Sequence, residues 1–336
     1  MLPLTLGTIK TTLSPSPSNP LRKFSKILTI ALVLTAAYAC QKLDAPGQGA
    51  QPLAFSSAGT KAGLSPLFDK FKVWTSLSNG SSTSTVMPGY LVKYDVSEGW
   101  SYTGTEGQEL QYWDYTATEY RFHAGAPANK VSGISESLLT LDLSSGDDIS
   151  GTCLYSVPQL VKRSDPEFGE VVNLAFSYAN ARINLAFKYA PDEAAEFTEI
   201  SLTPASPVAT AASLTLNYDW ERVSVTPGQL SISSSSSAAL TFPAVSVPEG
   251  YGDAVASGTP LYMIPDPASS GQWTLKVKVN GSEYESVFTV SKAWEAGKSY
   301  LYRFEYTDEA RLVFSGSETV LFEGADPENG GEHNFS

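Results

Sequence analysis

The sequence predicts an all-β protein built from antiparallel sheets. Apolar residues take alternate positions over residues 273–279, which is the period of a strand with one buried face. Asn280 and Gly281 then favour the type I′ turn of a two-residue hairpin, and the alternation resumes over residues 284–290. Short runs rich in Tyr, Phe and Val recur between clusters of Gly, Pro, Ser and Asn along the rest of the chain. Together these patterns favour the antiparallel β-sandwich.

The first element along the chain has the layout of an export signal. Three basic residues precede a largely apolar run, residues 27–39, which ends in small side chains just before Cys40. This order of positive, apolar and small segments is typical of a secretory signal peptide, and the run is shorter than the roughly 20 apolar residues that span a bilayer. Residues 1–39 are therefore predicted to be a signal peptide, with an atypical N-terminal extension in front of the basic residues.

Cys40 has a candidate role because of the residues before it. The motif Ala37-Tyr38-Ala39-Cys40 resembles a bacterial lipobox, in which the thiol is alkylated with a diacylglyceryl group and the signal is cut just before it. The resemblance implies that Cys40 is a lipidation site and anchors the protein in the outer membrane. Two or more acyl chains such as palmitate, at about 0.8 kcal/mol per buried methylene, are enough for stable anchoring. The alternative is an ordinary secretory peptide with an incidental cysteine.

The net negative charge of the chain limits which partners are expected. The 336 residues include 22 Lys and Arg and 35 Asp and Glu, a formal net charge of −13 at pH 7, and every acidic residue lies after residue 39. Because such a surface repels phosphate backbones, nucleic acid is not expected as a partner. Cys153 is the sole cysteine of the predicted folded part, so no disulfide is expected within it, and we predict that Cys153 is a small buried residue in a strand rather than a reactive thiol.

The length of the chain after the signal favours two domains. The best boundary is the polar, turn-rich segment 162–169, which precedes a long alternating stretch. The predicted organisation is a lipidated N-terminal linker that contains a removable strand, an N-terminal β-sandwich, a C-terminal β-sandwich and an acidic tail. These four parts span residues 40–61, 62–165, 166–323 and 324–336.

Three local segments are less regular than the rest. The alternating stretch 172–189 is interrupted at residues 178–182, which bridge two strands or bend one. Residues 192–197 carry the one hint of a helix. The Ser-rich run 231–237 is interpreted as an exposed loop or a solvent-facing edge with no chemistry of its own.

The motifs that nucleophilic, metal-assisted and phosphate chemistry require are missing from the sequence. It contains no Gly-x-Ser-x-Gly, no His-Glu-x-x-His and no Cys-x-x-Cys. The segment 296–299, Ala-Gly-Lys-Ser, lacks the first glycine of a phosphate-binding loop and leads into a predicted strand, not into a helix whose N-terminus could cradle phosphate. We therefore expect a protein that is not an enzyme and has no catalytic residues.

Metal and cofactor sites also find no support. His123 and His333 are too few for a histidine-rich metal site, and His123 is predicted to be a core or groove residue of a strand. Asp142, Asp147 and Asp148 lie close together in the sequence, but their spacing matches no regular calcium loop and acidic turns are usually solvated. No metal and no cofactor is expected.

A series of aromatic and alternating motifs runs along both halves of the chain. In the first half they are Phe71-x-Val-Trp74, Met87, Gly99-Trp-Ser-Tyr102, Tyr112-Trp113 and Tyr120-Arg-Phe-His-Ala124. In the second half they are Val172-x-Leu-x-Phe176, Ile183-x-Leu-x-Phe187 and the signature Trp294-Glu-Ala-Gly-Lys-Ser-Tyr300-x-Tyr302. In their joint order these motifs resemble those of the fimbrillin (Mfa-like) lipoproteins of Bacteroidales. The resemblance runs from the lipobox to Glu323, with Tyr178 standing where the family often has His.

The resemblance implies a fold and a function. The implied fold is a pair of tandem transthyretin-like β-sandwich domains. The implied function is that of a lipid-anchored fimbrial subunit, structural or accessory, in surface fimbria assembly and cell adhesion. Its partners would be other fimbrial subunits joined by β-strand exchange, the outer membrane through the lipid, and a ligand on a host or bacterial surface.

The resemblance also implies a processing site. In polymerising members of the family a trypsin-like protease removes an N-terminal strand at a Thr-Arg-Ala type site. Here the segment 60–62, Thr-Lys-Ala, stands in that place, and residues 52–55 are the candidate removable strand. Lys61 is thus the candidate processing residue for a protease that accepts Lys, and the alternative is a solvated linker charge. Residues 311–314 and 319–322 are candidate donor strands, or they complete the C-terminal sandwich itself.

A competing class is a surface glycan-binding lipoprotein of the outer membrane, in which exposed aromatic rings hold sugars. Trp100, Trp113 and Tyr112 could form such a platform, although Trp in a strand is more often part of the core. A sugar platform requires coplanar, solvent-exposed rings, whereas a fimbrial subunit requires a strand that is removed or donated.

Overall fold

The computed structural model describes residues 51–57, 68–191, 193–250 and 252–321. Cys40, Lys61, His333, the predicted signal peptide and the predicted acidic tail lie outside the described residues. The described part contains 23 strands and three short 3₁₀ turns, and it contains no α-helix. The prediction of an all-β protein is therefore confirmed. Within these ranges no helix is long and apolar enough to cross a membrane.

The strands are numbered in chain order. Those that begin before residue 190 are β1 (Phe55–Ser57), β2 (Lys70–Ser78), β3 (Thr83–Asp95), β4 (Gly99–Ser101), β5 (Glu119–Ala126), β6 (Val131–Ile134), β7 (Leu138–Ser144), β8 (Leu154–Ser156), β9 (Gln159–Lys162), β10 (Val172–Leu174), β11 (Phe176–Tyr178) and β12 (Ala181–Tyr189). The later ones are β13 (Ala195–Pro204), β14 (Val208–Asp219), β15 (Ser224–Ser236), β16 (Leu240–Phe242), β17 (Val245–Val247), β18 (Val255–Ala256), β19 (Leu261–Met263), β20 (Gly271–Val279), β21 (Ser282–Val290), β22 (Lys298–Tyr306) and β23 (Leu312–Leu321). The 3₁₀ turns are Ala128–Lys130, Ile149–Gly151 and Pro267–Ser269.

These strands form five sheets. A seven-stranded N-terminal sheet has the order β11-β8-β5-β2-β3-β4, with β9 also paired to β5, and a four-stranded middle sheet has the order β15-β14-β7-β6. Two five-stranded C-terminal sheets have the orders β18-β12-β22-β23, with β19 on β12, and β16-β13-β20-β21, with β17 on β13. β1 and β10 form a two-stranded sheet. β12 runs parallel to β22 and β1 runs parallel to β10, whereas the other pairs of described strands are antiparallel.

The two C-terminal sheets enclose one hydrophobic core. β20 contributes every second residue from Trp273 to Val279, as the period of two predicts. The predicted hairpin is also confirmed, because β20 and β21 pair antiparallel. Asn280 and Gly281 between them have φ of 48° and 84°, the left-handed values that a type I′ turn requires.

The middle sheet packs on the N-terminal sheet. Its inner face presents Leu139, Leu141, Leu214 and Leu216, all of them buried. Gly125 in β5 lets the two sheets approach closely, because a Cβ there would lie 2.8 Å from Cδ1 of Leu139. β6 and β7 come before residue 165 in the chain and β14 and β15 come after it. One sheet therefore draws strands from both sides of the predicted domain boundary, which stays a prediction.

The irregular local segments are now defined. The hint of a helix over residues 192–197 is wrong, because Ala195 and Phe197 lie in β13 with their side chains buried in the C-terminal core. Pairing with β17 and β20 outweighs the helix propensity of the Ala and Glu residues there. The stretch 172–189 is divided among β10, β11 and β12 and so bridges strands. The Ser-rich run continues to Ser236 as part of β15, an edge strand, which is the second of its two interpretations.

Candidate functional site

The N-terminal segment, residues 51–57, lies between two other stretches of backbone. The Leu53 N–H donates to the carbonyl of Gln111 at 2.8 Å. The next residue changes partner, because the carbonyl of Ala54 accepts from the Val172 N–H at 2.9 Å, and from there β1 runs parallel to β10. The candidate removable strand predicted from the sequence is thus hydrogen-bonded on both of its edges.

Two alternate side chains of this segment are buried. Leu53 is 1% exposed and Phe55 is 5% exposed. The Phe55 ring packs edge-on against the rings of Phe71, Tyr102 and Phe122, with centroid separations of 6.1 to 6.3 Å. Burial of a side chain of this kind contributes about 1.5–3 kcal/mol to stability. We call these three rings, with the two backbone stretches that pair with the segment, the strand seat.

The Tyr102 hydroxyl links the N-terminal segment to the strand seat. It donates to the carbonyl of Leu53 at 3.0 Å and accepts from the N–H of Gln111 at 3.1 Å. A tyrosine hydroxyl is protonated at neutral pH and can donate, and burial raises the pKa of Tyr102 further above its ordinary value. The motif that contains Tyr102 did not predict this role, since no local pattern shows which distant backbone group a hydroxyl will reach.

The described chain resumes at Phe68, beyond the candidate processing residue Lys61. Phe68 is 9% exposed, and its ring lies 5.0 Å from that of Phe176. Phe55 and Phe68 therefore belong to the same hydrophobic core. Because the residues between them lie outside the described ranges, processing at Lys61 stays a prediction, as does lipidation at Cys40.

Residues 312–314 and 319–321 of the two candidate donor segments belong to one strand, β23, whereas Arg311 precedes it and Phe322 lies outside the described residues. β23 pairs antiparallel with β22 and completes the C-terminal sandwich, which is the alternative that the sequence left open. Leu312 is 7% exposed, and the Phe314 ring stacks 4.8 Å from that of Phe288. Beyond a register shift, the residues of β23 opposite the core tyrosines of β22 are Ser317 and Thr319. The first half of β23 is therefore held by apolar contacts, and the second half is more polar.

The tryptophan and tyrosine signature forms a buried hydrogen-bonded cluster. The Trp294 N–H donates to Oγ of Ser269 at 2.7 Å, and its indole N–H donates to the Tyr302 hydroxyl at 2.9 Å. The Tyr300 hydroxyl accepts from the N–H of Glu295 at 2.9 Å. The Ala-Gly-Lys-Ser segment inside the signature leads into strand β22, as the sequence predicts. The signature thus has a structural role in closing the C-terminal sandwich.

The three aromatic residues of the glycan-binding alternative do not share one surface. Trp113 is 3% exposed, and its ring lies 4.9 Å from that of Phe168. The ring of Trp100 is partly buried and lies 4.9 Å from that of Phe71. Tyr112 is 45% exposed. A single exposed ring does not make a coplanar platform, so these residues give no support to a sugar site.

His123 and Cys153 are buried, as the sequence predicts, although Cys153 lies one residue before β8 instead of in a strand. Nε2 of His123 is 2.7 Å from the carbonyl oxygen of Ser135, and its ring stacks 4.1 Å from that of Tyr218. Burial lowers the pKa of His123 to about 4 and raises the pKa of the Cys153 thiol to about 12. These environments are those of structural groups.

The carboxylates of the candidate calcium turn do not gather around a common point. Asp142 accepts hydrogen bonds from the hydroxyls of Ser132 and Ser213, each at 2.9 Å. In the part of the chain that the structure describes, no group of three or more His, Cys, Asp and Glu side chains could hold a metal ion. The site with the most defined geometry is therefore the strand seat.

Comparison with solved structures finds chains of low sequence identity. The chain is similar to a candidate cell adhesion protein from Bacteroides uniformis ATCC 8492, with 18% identity, a TM-score of 0.47, and coverage of 82% of this chain and 99% of that one. It is similar to a candidate cell adhesion protein from Bacteroides ovatus ATCC 8483, with 12% identity, a TM-score of 0.48, and coverage of 82% and 100%. It is also similar to the tip fimbrial protein Mfa3 from Porphyromonas gingivalis, with 8% identity, a TM-score of 0.33, and coverage of 75% and 92%.

No curated protein matches the sequence. The sequence profile of one protein family, described as fimbrillin-like, matches residues 67–320. The match takes in both C-terminal sheets, the middle sheet and the three rings of the strand seat, and it begins after the N-terminal segment. Because the match spans more than half of the chain, the protein belongs to the fimbrillin-like family.

Proposed function

We propose that this chain is a lipid-anchored fimbrial subunit, structural or accessory, that takes part in surface fimbria assembly and cell adhesion. Membership of the fimbrillin-like family supports this class of function. The observation that carries the proposal is the strand seat, which holds an N-terminal strand through backbone hydrogen bonds on both edges and through two buried side chains. An exchangeable strand requires a slot of this kind.

Lipidation and cleavage set the order of events in this proposal. Cys40 carries the lipid and attaches the protein to the outer membrane at the cell surface. Cleavage at Lys61 then leaves the N-terminal segment bound by non-covalent contacts alone. When the segment departs, the carbonyl of Gln111 and the N–H of Val172 lose their partners and the apolar slot opens. A donor strand from a neighbouring subunit restores the backbone hydrogen bonds and fills the apolar slot.

The donor strand that best fits the slot is the first half of β23. Leu312 and Phe314 have the same apolar-x-aromatic spacing as Leu53 and Phe55, and alternate residues of a strand point to the same face. β23 lies at the edge of its sheet, so its release breaks backbone pairing on one side only, together with the apolar contacts of Leu312 and Phe314. If Lys61 is not cut, the slot stays filled and the lipid stays attached, which fits an anchor or accessory subunit.

Limited trypsin digestion followed by native gel electrophoresis tests this proposal. We expect cleavage at Lys61 to release the segment 51–57 and to produce a ladder of polymers. Lys61→Ala is the matched control and should stay monomeric under the same digestion. Lys61→Arg should behave like the parent chain and should also respond to a protease restricted to Arg. Clean trimming at Lys61 with only monomer remaining would contradict assembly by strand exchange and favour an accessory role.

A further inference from the structure

The surroundings of the N-terminal segment carry a group of exposed apolar side chains. Of the eleven large hydrophobic residues that are exposed in the described part of the chain, four lie in or next to the two stretches that flank this segment: Leu110, Tyr112, Tyr115 and Val171. Their exposed fractions are between 43% and 52%. Single exposed apolar residues are common on protein surfaces, whereas a contiguous group marks a surface that contacts a partner or a membrane.

The backbone pairing places apolar side chains of the three stretches next to one another. Pro52 lies opposite Tyr112 in an antiparallel bridge. The parallel register of β1 and β10, extended back by one residue, places Ala54 beside Val171. Leu110 comes two residues before Tyr112 and shares its face, because side chains alternate along an extended backbone. Pro52 and Ala54 alternate with the buried residues of the segment, so they point outward. We call these five residues the outer face of the strand seat.

Charge limits what can cover the outer face. The three backbone stretches that form it contain no Lys or Arg, and Glu109 and Glu170 are the chain neighbours of Leu110 and Val171. Nucleic acid, anionic lipid and a second copy of this chain, with its net charge of −13, would all be repelled. A neutral or zwitterionic apolar surface is the partner that fits.

The lipid proposed at Cys40 brings such a surface within reach. Residues 41–50 are all that separate Cys40 from the N-terminal segment. The eleven residue steps from Cys40 to Gln51 span at most about 40 Å, so an anchored chain keeps the segment within this distance of the membrane surface. Tyr112 suits the membrane boundary, because a tyrosine ring is largely apolar while its hydroxyl can stay in water.

We propose that the outer face rests on a zwitterionic lipid bilayer beside the point where the chain is anchored. This inference rests on the proposed lipidation of Cys40. The apolar side chains lie at the level of the headgroups, and the acidic neighbours stay in water at the margin. The acyl chains supply most of the membrane affinity. The outer face determines which side of the protein is turned toward the membrane.

The outer face depends on the N-terminal segment, because Pro52 and Ala54 form its middle row and belong to that segment. When the segment departs after cleavage at Lys61, the tether to the lipid and the middle row leave together. Contact with the membrane is therefore a property of the uncleaved subunit, in which the segment fills the strand seat.

An environment-sensitive fluorophore at Val171 tests the proposal. The full lipidated chain carries Val171→Cys and is labelled with a nitrobenzoxadiazole maleimide, since Cys40 is alkylated and Cys153 is buried. The protein is reconstituted into phosphatidylcholine vesicles, and its co-flotation with them is recorded. We expect the emission to shift to shorter wavelength and to lose most of its quenching by aqueous iodide. Val287→Cys is the matched control, because Val287 is 53% exposed and Val171 is 52% exposed, and its label should stay fully quenched.

A second variant separates the outer face from the lipid. Leu110→Asp combined with Tyr112→Asp, in the Val171→Cys chain, should restore iodide quenching. Co-flotation and the melting temperature should stay parental, because the lipid is intact and both sites are exposed. Val287→Asp in the same chain should leave the label protected.

The outcomes separate this inference from the proposed function. Co-flotation with full quenching at Val171 would overturn the inference and leave the lipidation standing. Failure to co-float would overturn both. Protection of the label that depends on protein concentration and persists without vesicles would assign the outer face to a second copy of the chain, and this too would overturn the inference.

Discussion

His123 connects the stability of the protein to pH at the scale of a single residue. The Ser135 carbonyl can only accept a hydrogen bond, so Nε2 carries the proton of the neutral ring. Nδ1 is then a bare acceptor, and it has no hydrogen-bond partner among the described residues. A second proton would place a positive charge between two sheets. The same strand, β5, already carries the Arg121 guanidinium, whose central carbon lies 5.9 Å from the Trp220 ring centroid. This burial is the reason for the low pKa of His123.

We predict that part of the acid sensitivity of the protein comes from His123. Its pKa falls from 6.5 to about 4 on folding, so the unfolded chain takes up the proton first, and the stability present above pH 6.5 is lost as the pH falls toward 4. The loss is on the order of 3 kcal/mol. His123→Phe keeps an aromatic ring against Tyr218 and should remove this part of the pH dependence. Urea unfolding of both proteins at neutral pH and near pH 4 would measure it, and equal pH dependence would refute the assignment.

Tyr102 should matter for the retention of the N-terminal segment. Tyr102→Phe removes the bond to the Leu53 carbonyl and leaves the Gln111 N–H without its acceptor, which should lower the free energy of unfolding by about 1–3 kcal/mol. Tyr115→Phe is the control, because Tyr115 is 48% exposed. Urea unfolding monitored by tryptophan fluorescence would measure the difference. The same loss in both variants would argue against a specific contact.

Cys40 should decide where the protein is found in the cell. If its thiol carries the lipid, Cys40→Ala should move the protein from the membrane fraction to the soluble fraction, because the acyl chains supply the membrane affinity. Cys153→Ala is the matched control and should leave the protein in the membrane fraction. A Cys40→Ala variant that still sediments with membranes would count against lipidation at this residue.

At the scale of the single element, agreement with the sequence predictions depends on how local the determining contacts are. The β20–β21 hairpin was predictable because Asn280 and Gly281 define the turn and the strands that flank them carry their own alternation. The helix hint at residues 192–197 failed because pairing partners far along the chain determine β13. The two apolar runs at the end of the chain were predicted as separate segments. In the structure one strand, β23, continues from the first run into the second, and its pairing with β22 changes register between them.

The N-terminal segment offers an element-scale prediction. Phe55→Ala removes the ring that packs against Phe71, Tyr102 and Phe122. This change should lower the free energy of unfolding by about 3–5 kcal/mol. After cleavage at Lys61, the weakened segment should dissociate faster than the parental one. Release of the labelled peptide, followed by size-exclusion chromatography, would measure the rate.

Ser56→Ala provides the control for that experiment. Ser56 is the neighbour of Phe55 in β1. Its side chain points to the opposite face of the strand and is only partly buried. This variant should release the peptide at the parental rate. If Phe55→Ala also released it at the parental rate, the three-ring slot would not be what retains the strand.

At the scale of the whole molecule, the candidate site is formed by parts that are distant in sequence. The N-terminal segment pairs with a loop near Gln111 and with β10, and the middle sheet joins β7 to β14. Sequence periodicity predicts strands and their buried faces, but it contains no information on which strands pair across long separations. The burial of His123 was therefore predictable, whereas the strand seat, the Tyr102 contact and the mixed origin of the middle sheet were not.

A chain of contacts connects the middle sheet to the C-terminal core. The Ala209 N–H, in β14, donates to the buried carboxylate of Asp266 at 2.7 Å. The Asp266 carbonyl in turn accepts from the hydroxyl of Ser269 at 2.6 Å, and Oγ of Ser269 accepts from the Trp294 N–H. The middle sheet thus contacts the N-terminal sheet on its inner face and the C-terminal sandwich through Asp266. Because of this connection, we expect the sandwich of the N-terminal and middle sheets to unfold together with the C-terminal sandwich.

Leu216→Ala tests this coupling. Leu216 is 1% exposed in the core of the middle sheet, and its truncation should lower the free energy of unfolding by about 2–5 kcal/mol. If the middle sheet couples the two sandwiches, the amides of Phe122 in β5 and of Leu275 in β20 should lose the same amount of hydrogen-exchange protection, because both open in one cooperative unit. Thr215→Ala, at the neighbouring residue that faces away from the core, should change neither amide. Loss of protection at Phe122 with Leu275 unchanged would mean that the boundary near residue 165 separates independently stable domains.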